Sequence, residues 1–124
     1  MDFKNISTIL IWSPDYKKLS EWYRKMFGLK LVESIRHPKD TGDLYRIGNV
    51  QLWIGQHGQV KGKNKDFNRH MFNIDVDSVG SAYAYLKKKG VKFLAQPFKA
   101  PTFNKYFVTF YDLDNNLIQL IGKE

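Results

Sequence analysis

Two stretches decide how this chain folds: Ser7–Leu31, "STILIWSPDYKKLSEWYRKMFGLKL", and His70–Phe93, "HMFNIDVDSVGSAYAYLKKKGVKF". Each reads as an alternating apolar strand, a polar cap, an amphipathic stretch, a glycine and another strand. At an offset of 63, Ile9, Ile11, Tyr16, Leu19 and Tyr23 fall on Phe72, Ile74, Val79, Ala82 and Leu86. Gly28 falls on Gly90 at an offset of 62, so the second helix is one residue shorter before its glycine stop. Apolar phase kept across both a strand and a helix marks an internal repeat.

The first helix is punctuated by Ser13 as N-cap, Pro14 at the first helical position and Gly28 as left-handed stop. Its apolar stripe is Leu19, Trp22, Tyr23 and Met26. The second helix starts at Asp77 or Ser78, carries Val79, Ala82, Tyr83 and Leu86 on one stripe, and ends at Gly90. Strands are expected at 30–36, 44–47 and 50–55 after the first helix, separated by "HPKDTGD" and Gly48-Asn49. After the second helix they are expected at 92–95, 106–111 and 117–121, with the two-proline stretch "QPFKAPTFNK" as a long loop. The order is β-α-β-β-β, twice. One domain, 1–124, then contains modules 1–56 and 69–124 joined by a polar, mobile linker, 57–68.

Composition agrees with a folded chain of this size. Hydrophobic residues make up 43% of the 124 positions, enough for a core. No apolar run approaches the roughly 18 residues that span a bilayer, and the N-terminus has no signal-peptide pattern. Cysteine is absent, which removes disulfides, thiolate ligands and cysteine nucleophiles. The expected location is cytoplasmic, with no membrane partner. Net charge is +8, spread as +3 over residues 1–60 and +5 over 61–124. The lysine clusters Lys61–Lys65 and Lys87–Lys89 read either as phosphate contacts or as a solvated loop and helix end. Charge alone does not predict specific nucleic-acid binding.

The order of elements resembles the vicinal oxygen chelate superfamily, which includes glyoxalase I, extradiol dioxygenases and the bleomycin and fosfomycin resistance proteins. "SPDYKKLSEWYRKMFGLKL" is similar to that family's first strand end and helix, where an aspartate, an aromatic pair and "LG" recur. "YDLDNNLIQL", Tyr111–Leu120, is similar to its closing "DPDGNxIEL", with Leu113 in place of the proline and Asn116 in place of the glycine. The resemblance implies an α+β fold in which tandem βαβββ modules form two curved four-stranded sheets around a cavity. It also implies a homodimer.

Strand alternation then sorts the side chains. Thr8, Leu10 and Trp12 face the cavity from the first strand, and Asn49, Gln51 and Trp53 from the strand at 50–55. Met71, Asn73 and Asp75 face it from the fifth strand, and Leu117, Gln119 and Ile121 from the last. The strand at 106–111 is apolar on both faces; Phe107, Thr109 and Tyr111 are read as inward. The candidate ligand-binding set is thus Thr8, Leu10, Trp12, Gln51, Trp53, Met71, Asn73, Phe107, Thr109, Tyr111 and Gln119. Its tryptophans either stack on a ligand or simply fill the fold.

The resemblance places the family's four metal ligands, usually histidine or glutamate, at Thr8, Gln51, Met71 and Gln119. Together these offer no negative charge to a divalent cation, so no metal ligand and no cofactor is expected. His70, one residue before Met71, is a structural or surface histidine unless a bulge turns it inward. His37 and His57 fall in loops and read as solvated. Asp112 and Asp114 belong to a tight turn, where aspartate serves the backbone. Asp75 is the one candidate catalytic group: buried, it would be a general base; exposed or paired, it would be structural.

The reading favoured by these residues is metal-independent capture of a small neutral or anionic organic molecule. The alternative is a metal-dependent lyase, isomerase or dioxygenase with a non-standard site and a divalent metal. Whether the chain is an enzyme stays open at this level.

Overall fold

Helix α1, Tyr16–Phe27, begins at a cap two residues later than the Ser13 that the sequence suggests. Asp15 is the N-cap, and its side chain accepts a hydrogen bond from the Lys18 amide at 3.4 Å. Ser13 Oγ accepts from the Asp15 amide at 3.0 Å, so the serine shapes the turn into the cap rather than capping the helix. Gly28 closes the helix in the left-handed region (φ 61°), with its N–H bonded to the Arg24 carbonyl. Helix α2, Val79–Lys88, is capped by Ser78, whose Oγ accepts from the Ser81 amide at 3.1 Å. The two caps, Asp15 and Ser78, keep the offset of 63.

The computed structural model describes residues 1–124. Around the helices run β1 (Thr8–Ser13), β2 (Lys30–His37), β3 (Asp40–Ile47), β4 (Val50–Gln56), β5 (Met71–Ser78), β6 (Phe98–Lys99), β7 (Tyr106–Tyr111) and β8 (Leu117–Lys123). They form two four-stranded mixed sheets with orders β1-β4-β3-β2 and β5-β8-β7-β6. β1 pairs parallel with β4, and β5 with β8; the other pairings are antiparallel. This is the expected tandem βαβββ α+β fold. The chain divides into compact units Met1–Gly62 and Lys63–Glu124.

In the first unit, Leu19 and Tyr23 of α1 are buried with Tyr45, Leu52 and Ile54 of the sheet. A polar network lies among them. Ser20 Oγ donates to Asp43 Oδ2 at 2.5 Å and sits 2.6 Å from the Tyr45 hydroxyl. Ser34 Oγ and the Arg36 guanidinium also bond to Asp43 Oδ1, at 2.8 and 3.3 Å. In the second unit, Val79 and Leu86 of α2 are buried with Val108, Phe110, Ile118 and Leu120. Phe93 stacks edge-on between Tyr83 and Phe110, with centroids 4.7 and 5.7 Å away.

Three sequence expectations change. The strand expected at 92–95 is not one of the sheet's strands. It follows β7 through an isolated bridge, Phe93 with Phe110, and through bonds from Leu94 N to Thr109 O and from Tyr111 N to Lys92 O. The fourth strand is β6, inside the stretch expected to be loop. β3 starts at Asp40, so only Pro38 and Lys39 separate it from β2. The linker 57–68 is tied at both ends: His57 N bonds to Ser13 O, and Asn64 N to Asp114 O at 2.8 Å.

The closing turn is built around Asp112, which is 4% exposed. Its Oδ1 accepts from the amides of Asp114 and Asn116 at 2.8 and 2.9 Å, and its Oδ2 from Asn116 Nδ2 at 2.9 Å. Asn115 is the residue with positive φ (65°), so it takes the place of the motif's glycine, and Asn116 does not.

Candidate functional site

Strand register fixes which side chains share a face. In the first sheet, Thr8 lies opposite Gln51, Leu10 opposite Trp53, and Trp12 opposite Gly55. These face away from α1, because Asp43 and Tyr45, which bond to Ser20 of the helix, occupy the other side. The same far face carries Gly42, Leu44 and Arg46 of β3, partners of Gly55, Trp53 and Gln51. In the second sheet, Met71 is opposite Leu117, Asn73 opposite Gln119, and Asp75 opposite Ile121. Gln119 is opposite Thr109, Leu117 opposite Tyr111, and Ile121 opposite Phe107. Each sequence-predicted residue of β1, β4, β5, β7 and β8 therefore stands on the far face of its own sheet; Asn49 lies in the turn before β4.

Trp53 is 6% exposed, and two glycines explain how it lies on the sheet. A Cβ on Gly42 would meet Trp53 Cζ2 at 2.6 Å, and one on Gly55 would collide with Trp53 Nε1 and come within 2.7 Å of Trp12 Cζ3. The glycine pair is a floor over which both indoles lie. Trp12, 38% exposed, also meets His57 edge-on at 5.4 Å. His57 is thus packed on a tryptophan, beyond the solvated-loop role expected of it. Its Nδ1 accepts from the Gln59 amide, as His37 Nδ1 does from the Lys39 amide, each at 3.1 Å. Gly55→Ala is expected to lift Trp53 from the floor, red-shift tryptophan emission and cost about 2 kcal/mol in denaturant unfolding.

The polar residues pair with one another. Thr8 Oγ1 donates to Gln51 Oε1 at 3.4 Å, and Gln119 Nε2 donates to Thr109 Oγ1 at 3.0 Å. Asp75 is exposed, so the burial that a tuned general base would need is not met. His70 is exposed and precedes β5.

On the second sheet the structure adds residues that pattern reading missed. Phe98, on β6, is opposite Phe107, with ring centroids 5.7 Å apart. Phe103 meets Phe107 edge-on at 5.8 Å. Phe98 and Phe103 are about half exposed, and Phe67 covers Tyr111 edge-on at 5.4 Å. The missed signal was available: three phenylalanines, at 98, 103 and 107, flank a short turn.

The four positions assigned to metal ligands divide between the two units: a hydroxyl and a carboxamide in one, a thioether and a carboxamide in the other. Nowhere do three or more His, Cys, Asp or Glu side chains come together. Neutral amides, a hydroxyl and a thioether do not fit a hard divalent cation. Register also breaks the symmetry. With Thr8 matched to Met71, the first-unit counterpart of Gln119 is Trp53 rather than Gln51.

A family model described as the Glyoxalase/Bleomycin resistance protein/Dioxygenase superfamily matches residues 5–120. Human mitochondrial methylmalonyl-CoA epimerase is 24% identical over 118 residues, 88% of this chain and 67% of the relative. The chain thus spans about two thirds of the length of that relative and of its mouse counterpart, where the share is 66%. The glyoxalase family protein from Enterococcus faecalis has a TM-score of 0.81 at 18% identity, covering 98% of this chain and 99% of its own. The fosfomycin resistance protein FosX from Listeria monocytogenes, complexed with Mn(II) and sulfate, has a TM-score of 0.75 at 16% identity, covering 99% and 95%. At these identities the likeness to solved structures is one of fold.

Proposed function

This chain belongs to the glyoxalase/bleomycin resistance protein/dioxygenase superfamily, and from that premise we propose that it captures a small neutral or anionic organic molecule without a metal ion. One observation carries the reading. At Gln51 and Gln119, where the family resemblance calls for cation ligands, the carboxamides are hydrogen-bonded to threonines. Such neutral pairs hold and orient polar ligand groups by hydrogen bonds. Trp12, partly exposed beside the buried Trp53 on the glycine floor, supplies the flat apolar contact. Net charge of +8 favours neutral or anionic molecules over cationic ones. The work is equilibrium binding, with no bond made or broken. A second copy of the chain, as the resemblance implies, belongs to the same reading; mass measured in solution checks it.

No helix of the chain is long and apolar enough to cross a membrane. The likeness to an epimerase and to a Mn(II)-bound resistance protein makes the competing reading concrete. Metal analysis after native purification separates the two. The expected result is no stoichiometric nickel, zinc, manganese or iron, and ligand binding unchanged by EDTA. One equivalent of any of these metals, with binding or turnover lost on its removal, replaces capture with metal-dependent chemistry.

A further inference from the structure

We propose that the far face of the first sheet holds an anion subsite made by Arg46, Lys30 and Gln51, which takes the carboxylate or phosphoryl group of a ligand whose apolar body extends over Leu10 and Leu44 towards Trp53. This rests on the capture reading above and narrows its ligand class.

The subsite is a consequence of register. Thr8, Gln51, Arg46 and Lys30 are successive Cα partners across all four strands, so one row on one face carries a hydroxyl, a carboxamide, a guanidinium and an ammonium. The next row begins Leu10, Trp53, Leu44. The Trp53 indole leans from this row over Gly55 and Gly42, away from the first row, so a ligand anchored by an anion on the first row reaches it across Leu10 and Leu44. No strand residue of the Met71–Leu117–Tyr111 or Asn73–Gln119–Thr109 row of the second sheet is cationic; Lys92, from outside the strands, places its ammonium over the Tyr111 ring at 5.3 Å.

The two cations lie directly opposite each other on an antiparallel pair, where like charges destabilise a sheet. The chain's ion pairs join Lys25 to Glu21, Arg36 to Asp43 and Arg69 to Asp66; none takes Lys30 or Arg46. Glu33, the carboxylate of β2 on this face, lies opposite Leu44 and forms no ion pair. Arg46 Nε donates to the Gly48 carbonyl at 3.4 Å, which orients the guanidinium and leaves both terminal nitrogens for a bidentate acceptor. With the Thr8 hydroxyl donating to Gln51 Oε1, the Gln51 NH2 group is also a donor. A row of donors with net positive charge is complementary to an acceptor-only, anionic group.

Tryptophan quenching titrations with benzoate, phenyl phosphate and benzamide at fixed ionic strength test this. Wild type is expected to bind at least one of the two anions about 10-fold more tightly than benzamide, which has the same ring without the charge. The comparison of benzoate with phenyl phosphate shows which anion the row prefers. The Arg46→Gln, Lys30→Gln double variant, altered only at exposed strand positions, is expected to lose that preference, its affinity for the anions falling to that for benzamide. In a parallel thermal scan, exchanging chloride for inorganic phosphate is expected to raise the midpoint of wild type but not of the double variant. Anions binding no more tightly than benzamide, no anion binding at all, or a preference that survives in the double variant each overturn the subsite. Benzamide binding without anion preference leaves metal-free capture standing; binding that appears only on addition of Mn(II) overturns capture itself.

Discussion

Gly122→Ala is expected to destabilise the fold by about 3 kcal/mol, lowering the thermal midpoint by about 10 °C. The reason is a backbone contact. Register between β5 and β8 shifts between Asp75 and Ser78: the partners run Asp75–Ile121 and then Ser78–Lys123. The extra residue of β5 bulges, and the Val76 carbonyl turns over Gly122. A Cβ built on Gly122 would collide with Val76 O and lie 3.0 Å from Val76 C. A carbonyl in a paired strand cannot swing aside as a side-chain tip can, so the bulge must reform or the strands must part. Gly80→Ala has the opposite sign. Gly80 is in the first turn of α2, and its Cβ would find nothing nearer than 3.7 Å. Relief of the glycine's backbone entropy there is expected to stabilise by about 0.5–1 kcal/mol. Urea unfolding of both variants checks the pair; two losses of equal size would remove the steric account.

The same residues show what could be read from sequence and what could not. The repeat was legible because helix stripes and strand alternation are local and keep a common phase; the first cap was read at Ser13, whereas the observed caps, Asp15 and Ser78, stand at the offset found between Ile9 and Phe72. The far faces of β1, β4, β5 and β8 were legible for the same reason. Strand β6 was not. Two prolines and an exposed Phe98–Lys99 pair give it no pattern, while the apolar "VKFL", Val91–Leu94, has a strand's composition but follows β7 only through an isolated bridge and backbone hydrogen bonds. The bulge that fixes Gly122 and the glycine floor under Trp53 depend on what passes over a residue, which no spacing reveals. Arg46 and Lys30 were missed because their meeting depends on a two-residue hairpin turn and on a register shift between Leu31 and Glu33. Turn length and bulge position set that register, and an error of one residue moves every side chain to the other face.

Asp43→Ala carries the other large expected effect, about 3 kcal/mol, because one carboxylate accepts from groups on two elements and anchors a third group through one of them. Ser20 comes from α1, and Ser34 and Arg36 from β2; Tyr45, two residues along β3, is joined to the carboxylate only through the Ser20 hydroxyl. Ser20 and Tyr45 are each 2% exposed, so no solvent replaces what is lost. Ser20 has a single hydroxyl proton; if it goes to Asp43, the Tyr45 hydroxyl must donate to Ser20 Oγ. Removing the carboxylate leaves that chain without its terminal acceptor and costs the Arg36 guanidinium its ion-pair partner, while its bonds to the Ile35 and Gly42 carbonyls remain. Tyr45→Phe deletes only the outer donor and is expected to cost about 1 kcal/mol. The two effects should fall short of additive in the double variant, because they act on one network. Alkaline pH gives an independent check. Burial, the largest cause, raises the Tyr45 phenol above its ordinary value of 10.0, the Asp43 charge adds to this, and the Ser20 hydrogen bond opposes it. The unfolded chain then releases this proton at lower pH than the folded one. The linked stability is therefore fully present below pH 10 and is lost as pH rises from there towards the folded-state value. Tyr45→Phe should flatten that part of the stability–pH curve, and an unchanged slope would show that the phenol is not shielded in the folded chain.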